Sequence, residues 1–139
     1  MLGLLSCPGC SGNRTTSAKG SDAAAMEIDE RIDMLFSQPT SENFGRSYDS
    51  ETTKSLRSKT SKEQFCAMGA KLGAKLGALE KKKLLGDKPL QIDKNSSAVD
   101  VSYAAVFKEG EGKILASFRR ESGSWKIASL RVMSELLDD

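Results

Sequence analysis

The chain has no histidine among its 139 residues. That removes the commonest general base and the most frequent metal ligand, and with them any Ser–His or Cys–His nucleophile. No run of about 18 apolar residues occurs, so no helix is expected to span a membrane. The three cysteines supply one CxxC pair, Cys7-Pro8-Gly9-Cys10, with no second pair to complete a zinc site. A redox role would need that pair at a helix start after a strand, and no strand precedes it. Neither cofactor nor metal is expected. Cys66 lies in a helical stretch, where it reads as a small buried apolar residue.

Against these absences, length and composition are those of one domain. Hydrophobic residues are 38% and charged residues 29%, and a chain of this size buries enough surface for a real core without staples. Charge is unevenly spread. From Asp22 to Glu51 there are eight acidic residues against two basic, and from Lys54 to Lys94 eleven basic against four acidic. Such asymmetry marks either a surface for phosphates and anionic lipid heads or two solvated faces of opposite sign. The candidate anion-contacting surface is Lys71, Lys75, Lys81, Lys82 and Lys83. No aromatic platform is interleaved with these lysines and no recognised motif accompanies them, so a nucleic-acid partner is not expected.

Residues 1–21 read as a flexible tether. Leu4-Leu5-Ser6-Cys7 resembles the lipobox of bacterial lipoproteins, whose cysteine is acylated and becomes the mature N-terminus, so Cys7 is the lipidation candidate. The Ser, Thr, Gly and Lys tract behind it suits a linker. A signal peptide needs a basic n-region and an apolar h-region of about 7–15 residues, and the six residues before Cys7 hold neither. The envelope expectation therefore requires a signal lying upstream. The other reading is a chance pattern, with the protein in the cytoplasm.

From Asp22 the pattern is helical. Ala24, Ala25, Ile28, Ile32, Leu35 and Phe36 recur at 3.6-residue spacing, with Ser21 or Asp22 as cap and Pro39 as stop. Ser41 to Leu56 predicts one or two short helices pinned by Phe44 and Tyr48. Thr60 with Glu63, or Ser61 with Gln64, opens a further helix through a capping box, with Phe65, Met68, Leu72 and Leu76 on its buried face. Its glycines, Gly69, Gly73 and Gly77, make a smooth face for close approach, with Gly77 as the stop. The lysines between them exclude a bilayer helix, and without GK[ST] they do not form a phosphate loop.

After Gly77 the period changes to alternation. Strands are expected over Leu79–Leu85, Ala98–Lys108, Lys113–Glu121 and Trp125–Met133, with Leu90 and Ile92 continuing the first after a turn at Gly86-Asp87-Lys88-Pro89. Glu109 to Gly112 and Gly123 mark hairpins, and 134–139 is a tail. Helices followed by a meander predict α+β: N-terminal helices packed on a curved four-stranded antiparallel sheet, over a domain of residues 22–133.

The stretches Leu76 to Leu84 and Phe118 to Ala128, with Ser61-Lys62-Glu63-Gln64-Phe65, resemble nuclear transport factor 2-like (cystatin-like) domains. More narrowly they resemble the bacterial family catalogued as domain of unknown function 4019. Ser129-Leu130-Arg131-Val132 departs from the Gly-Tyr ending of that family. The resemblance implies a cone-like roll and an extracytoplasmic setting, with no established activity.

Domains of that shape include isomerases and dehydratases, for which Tyr48, Tyr103, Asp100 and Ser102 are the polar candidates here. Strand alternation puts Asp100 and Tyr103 on opposite faces, so no catalytic residue is assigned. The residues expected to line a cavity or its rim are Tyr48, Tyr103, Phe118 and Trp125. The functional expectation is a non-catalytic accessory domain of the envelope that contacts other proteins. The alternative is a module holding a small apolar ligand or peptide in the cone. An exposed apolar sheet face would predict a homodimer.

Overall fold

The structure is a computed structural model, and it describes residues 20–85, 92 and 97–137. The tether with Cys7 and Cys10, the expected turn at residues 86–89 and Leu90 lie outside the described residues.

Helix α1 (Gly20–Ser37) begins upstream of Ser21 and Asp22, the residues expected to cap it. Its stripe of Ala24, Ile28, Ile32, Leu35 and Phe36 is buried as the 3.6-residue spacing predicts. Ser41 to Leu56 holds two helices, α2 (Ser41–Glu51) and the start of α3 (Lys54–Lys59), capped by the side chains of Thr40 and Thr53. Helix α4 (Lys62–Lys75) opens on the capping box of Ser61 and Gln64. It ends at Gly77, whose φ of 77° is open to glycine at little cost and whose N–H bonds the Leu72 carbonyl at 3.1 Å. The glycine face is a docking face. A Cβ on Gly69 would stand 2.5 Å from the Phe44 ring, and one on Gly73 would stand 2.1 Å from the Pro39 carbonyl oxygen.

Four strands follow, β1 (Leu79–Leu84), β2 (Ala98–Phe107), β3 (Glu111–Glu121) and β4 (Ser124–Met133), as an antiparallel meander in the order β1-β2-β3-β4. The fold is α+β. Ile92 is buried in the core but lies outside any strand. Strand β3 starts two residues earlier than its apolar pattern suggests. The cause is a tight turn in which Phe107 and Gly110 bond each other's backbones at 2.7 and 3.3 Å, which frees Glu111 and Gly112 to pair. A single 3₁₀ turn, Glu135–Leu137, follows β4.

Alternation sorts the strands into two faces. Val101, Tyr103, Ala105 and Phe107 of β2, Ile114, Ala116 and Phe118 of β3, and Trp125 and Ile127 of β4 are all buried and form one core with the helices. Two bulges interrupt the alternation. One lies between Leu79 and Lys81, and the other lies between the pairs Ser117–Ser129 and Phe118–Ile127.

The β3–β4 hairpin is closed by Ser122 and Gly123, with φ values of 51° and 81°. A two-residue turn with both positions left-handed matches the sheet twist, but a serine there is strained where asparagine is tolerated. Ser122→Asn should raise stability by about 0.5 kcal/mol. The urea midpoint reads this directly, and a fall would contradict it.

Candidate functional site

The aromatic side chains expected at a cavity or its rim all sit in the continuous core. Phe118 and Trp125 are buried between the sheet and the helices. Trp125 is further fixed by its backbone N–H, which bonds Glu27 at 2.9 Å, and by the Arg120 guanidinium 4.7 Å above its ring. Tyr48 donates its hydroxyl to the Thr60 carbonyl at 2.6 Å and so ties α2 to the α3–α4 turn. Tyr103 is 2% exposed and its hydroxyl reaches Asp29 of α1 at 3.4 Å.

Burial, and after it the Asp29 carboxylate, raises the Tyr103 pKa above the ordinary tyrosine value. Both penalise the phenolate. The folded state therefore favours the protonated form. This contribution to stability is complete below the unfolded pKa of about 10 and is lost as pH rises through the higher folded value. The unfolding midpoint should decline above about pH 10, and Tyr103→Phe should lack that part of the decline. Identical alkaline profiles for the two proteins would refute the assignment.

Lys82 is a correction to the expected basic surface. The bulge after Leu79 shifts the phase of β1, so that Lys82 pairs with inward-facing Ala105 and Leu84 with inward-facing Tyr103. Its side chain is 8% exposed. The ammonium contacts Asp33 at 2.6 Å and Asp29 at 3.0 Å and stands 5.3 Å from the Tyr103 ring centre. Lys82 fastens the first edge of the sheet to α1. Beside it, Arg31 joins Glu27 and Glu51, each at 3.3 Å, which links α1 to α2. Neither cluster was legible in the sequence, because both depend on which residues of distant elements meet.

The remaining lysines divide. Lys71, exposed, and Lys75, half-buried, lie on α4, whereas Lys81 and Lys83 are exposed on the outer face of β1. That outer face is left open. Among the described residues no helix packs on it, and its side chains range from half-buried to exposed. Lys81 and Lys83 share it with Lys113 and Arg119 of β3 and Arg131 of β4, around a centre of Ala104, Val106, Leu115 and Met133. Lys113 and Arg119 were readable from alternation, since they fall out of phase with Ile114, Ala116 and Phe118. Arg131 was not, because the bulge between Ile127 and Ser129 shifts its phase relative to Trp125 and Ile127. Two shallow depressions run across the face. One is lined by Lys81, Lys83, Lys113 and Met133, the other by Asp100, Ser102, Leu115, Ser117, Ser129 and Arg131. Asp100 accepts a hydrogen bond from Ser117 at 2.7 Å, on the side of the sheet opposite Tyr103.

No helix among the described residues is long and apolar enough to cross a membrane. Compared with known proteins, the chain matches no protein-family model and no curated sequence. The class the coordinates define is architectural: an α+β domain with four helices on one side of an open four-stranded antiparallel sheet.

Proposed function

We propose that the protein is a non-catalytic interaction domain, held at the cell envelope by a lipid on Cys7, that meets its partner through the bare face of its sheet. The observation that carries this reading is the division of the sheet. One side is filled by the core beneath the helices, while on the outer side of β1 to β4 the described residues place only the 3₁₀ turn at its edge, whose Glu135 and Leu136 line one depression. The lipobox-like Leu4-Leu5-Ser6-Cys7 and the polar tract after it support the tether. The order of helices before a four-stranded meander and the residues of the junction and hairpin quoted above support kinship with nuclear transport factor 2-like domains.

Two observations weigh against the other readings. Phe118, Trp125 and Tyr103 are committed to the core, which speaks against an apolar ligand on those side chains. Asp100 and Tyr103 face away from each other, each with its own structural partner, which speaks against a shared acid–base site.

Photo-crosslinking in the host cell tests the proposal, with the reactive residue placed at Ser102 on the bare face or at Glu42 on α2. Adducts should form from Ser102 and not from Glu42, on a chain whose first residue is acylated Cys7. Equal adducts from both positions would overturn the contact face. An intact mass showing unmodified Met1 would overturn the tether.

A further inference from the structure

We infer that the partner of the bare face is an anionic lipid surface, against which the domain lies flat. The inference rests on the reading of that face as the contact surface and names what it contacts.

Charge is the first argument. Lys81, Lys83, Lys113, Arg119 and Arg131 share the face with three carboxylates, Asp100, Glu111 and Glu121. Of these, Asp100 already accepts a hydrogen bond from Ser117 and Glu121 one from the Lys54 backbone N–H. Glu109 and Glu135 stand at the rim of one depression, so the excess of positive charge is moderate and lies on the face itself. On the other side of the sheet the charges nearly cancel. There α1 carries Glu27, Asp29, Glu30 and Asp33 against Arg31, Lys82 pairs with two of these carboxylates, and α2 to α4 carry seven basic residues against four acidic. The net positive charge therefore lies on the bare face. In the field of an anionic plane such a body turns that face toward the plane.

Shape and chemistry separate lipid from other anions. Exposed Met133 and half-buried Ala104, Val106 and Leu115 form an apolar strip between the cations. Long basic side chains flanking apolar ones suit the boundary between headgroups and acyl chains, where stems lie along apolar surface and charges reach phosphates. A nucleic acid would call for stacking platforms. The aromatic residues of the four strands, Tyr103, Phe107, Phe118 and Trp125, all point the other way. A surface ~1 kcal/mol more favourable per nearby Lys or Arg corresponds to roughly fivefold in partition for each cation.

The test uses the full-length chain without its acyl group, so that only the face can hold it to lipid. Co-sedimentation is measured with phosphatidylcholine vesicles with and without phosphatidylglycerol. Binding should require phosphatidylglycerol and weaken as salt shortens the Debye length from about 30 to 3 Å. Lys81→Glu with Lys83→Glu, and separately Lys113→Glu with Arg131→Glu, should each weaken binding by more than about 25-fold. Lys71→Glu, on α4, should leave it within about twofold, well below the fivefold effect of a face cation. Neutral Lys113→Gln with Arg131→Gln serves if a charge reversal disturbs folding, which the urea midpoint reports.

Binding that ignores phosphatidylglycerol, or that Lys71→Glu weakens as much as the face variants do, would overturn the inference. So would an oligonucleotide binding where vesicles do not. Loss of vesicle binding alongside protein adducts at Ser102 would replace lipid by a protein partner and leave the contact face standing. Absence of both would remove the face as well.

Discussion

Phe36→Ala should cost about 3–5 kcal/mol, the largest effect expected of any single substitution in this domain. Phe36 is 0% exposed and lies at the end of α1, where three elements converge. Its ring meets Phe44 of α2 edge-on at 6.0 Å and Phe107 of β2 at 6.2 Å. Truncation would remove the transfer free energy of the ring, leave a cavity bounded by aromatic rings too rigid to collapse, and cancel two edge-to-face contacts. Domains of this size are stable by only about 5–15 kcal/mol, so the variant should lose a large share of its margin. Urea denaturation of the wild type, Phe36→Ala and Phe36→Leu would measure it. Leucine refills most of the volume and should recover more than half of the loss. If leucine recovered nothing, ring geometry rather than volume would be the cause.

Gly73→Ala should destabilise by about 2 kcal/mol, although helix propensity alone favours alanine by about 1 kcal/mol. The sign follows from the 2.1 Å between the new Cβ and the Pro39 carbonyl oxygen, a backbone atom that cannot swing aside as a side chain would. Relief would require α4 to lift from the α1–α2 turn, and that movement would also open the contact between Gly69 and the Phe44 ring. A control separates the two causes. Ala70 is exposed one residue after Gly69, so Ala70→Gly should cost only the propensity difference of about 1 kcal/mol. A stabilised Gly73→Ala would show that the two segments do not touch so closely.

These cases mark how far the sequence could be read. The apolar stripe of α1, the Ser61–Gln64 box and the glycine face of α4 are written in local spacing, and so were legible. So were the inner faces of β2 and β3, where alternation runs without interruption. Strand β1 was not. Its Leu-Glu-Lys-Lys-Lys-Leu run reads, by strict alternation, as Lys81 and Lys83 on the side of Leu79 with Lys82 opposite. The bulge reverses that phase and buries Lys82 against Asp29 and Asp33. An extra residue in a strand leaves no mark in composition, because its cause is the pairing with the neighbouring strand. For the same reason the candidate surface gained Lys113, Arg119 and Arg131 from other strands and lost Lys82. Contiguity in the chain had grouped five lysines that the fold distributes over three surfaces.

The order of elements also sets a timetable for synthesis. All four helices precede the sheet that covers them, and the last strand begins some ninety residues after α1 ends. At a synthesis rate of roughly 5–20 residues per second, the apolar stripe of α1 waits about 5–20 s for the strand pairs that shelter it. The meander itself closes quickly once made, since every pairing is a hairpin between neighbours. The nascent chain is therefore most exposed to aggregation and proteolysis before its C-terminal third emerges. A truncation after β2 should behave as an adhesive helical fragment that holdase chaperones retain, and not as a smaller version of the domain.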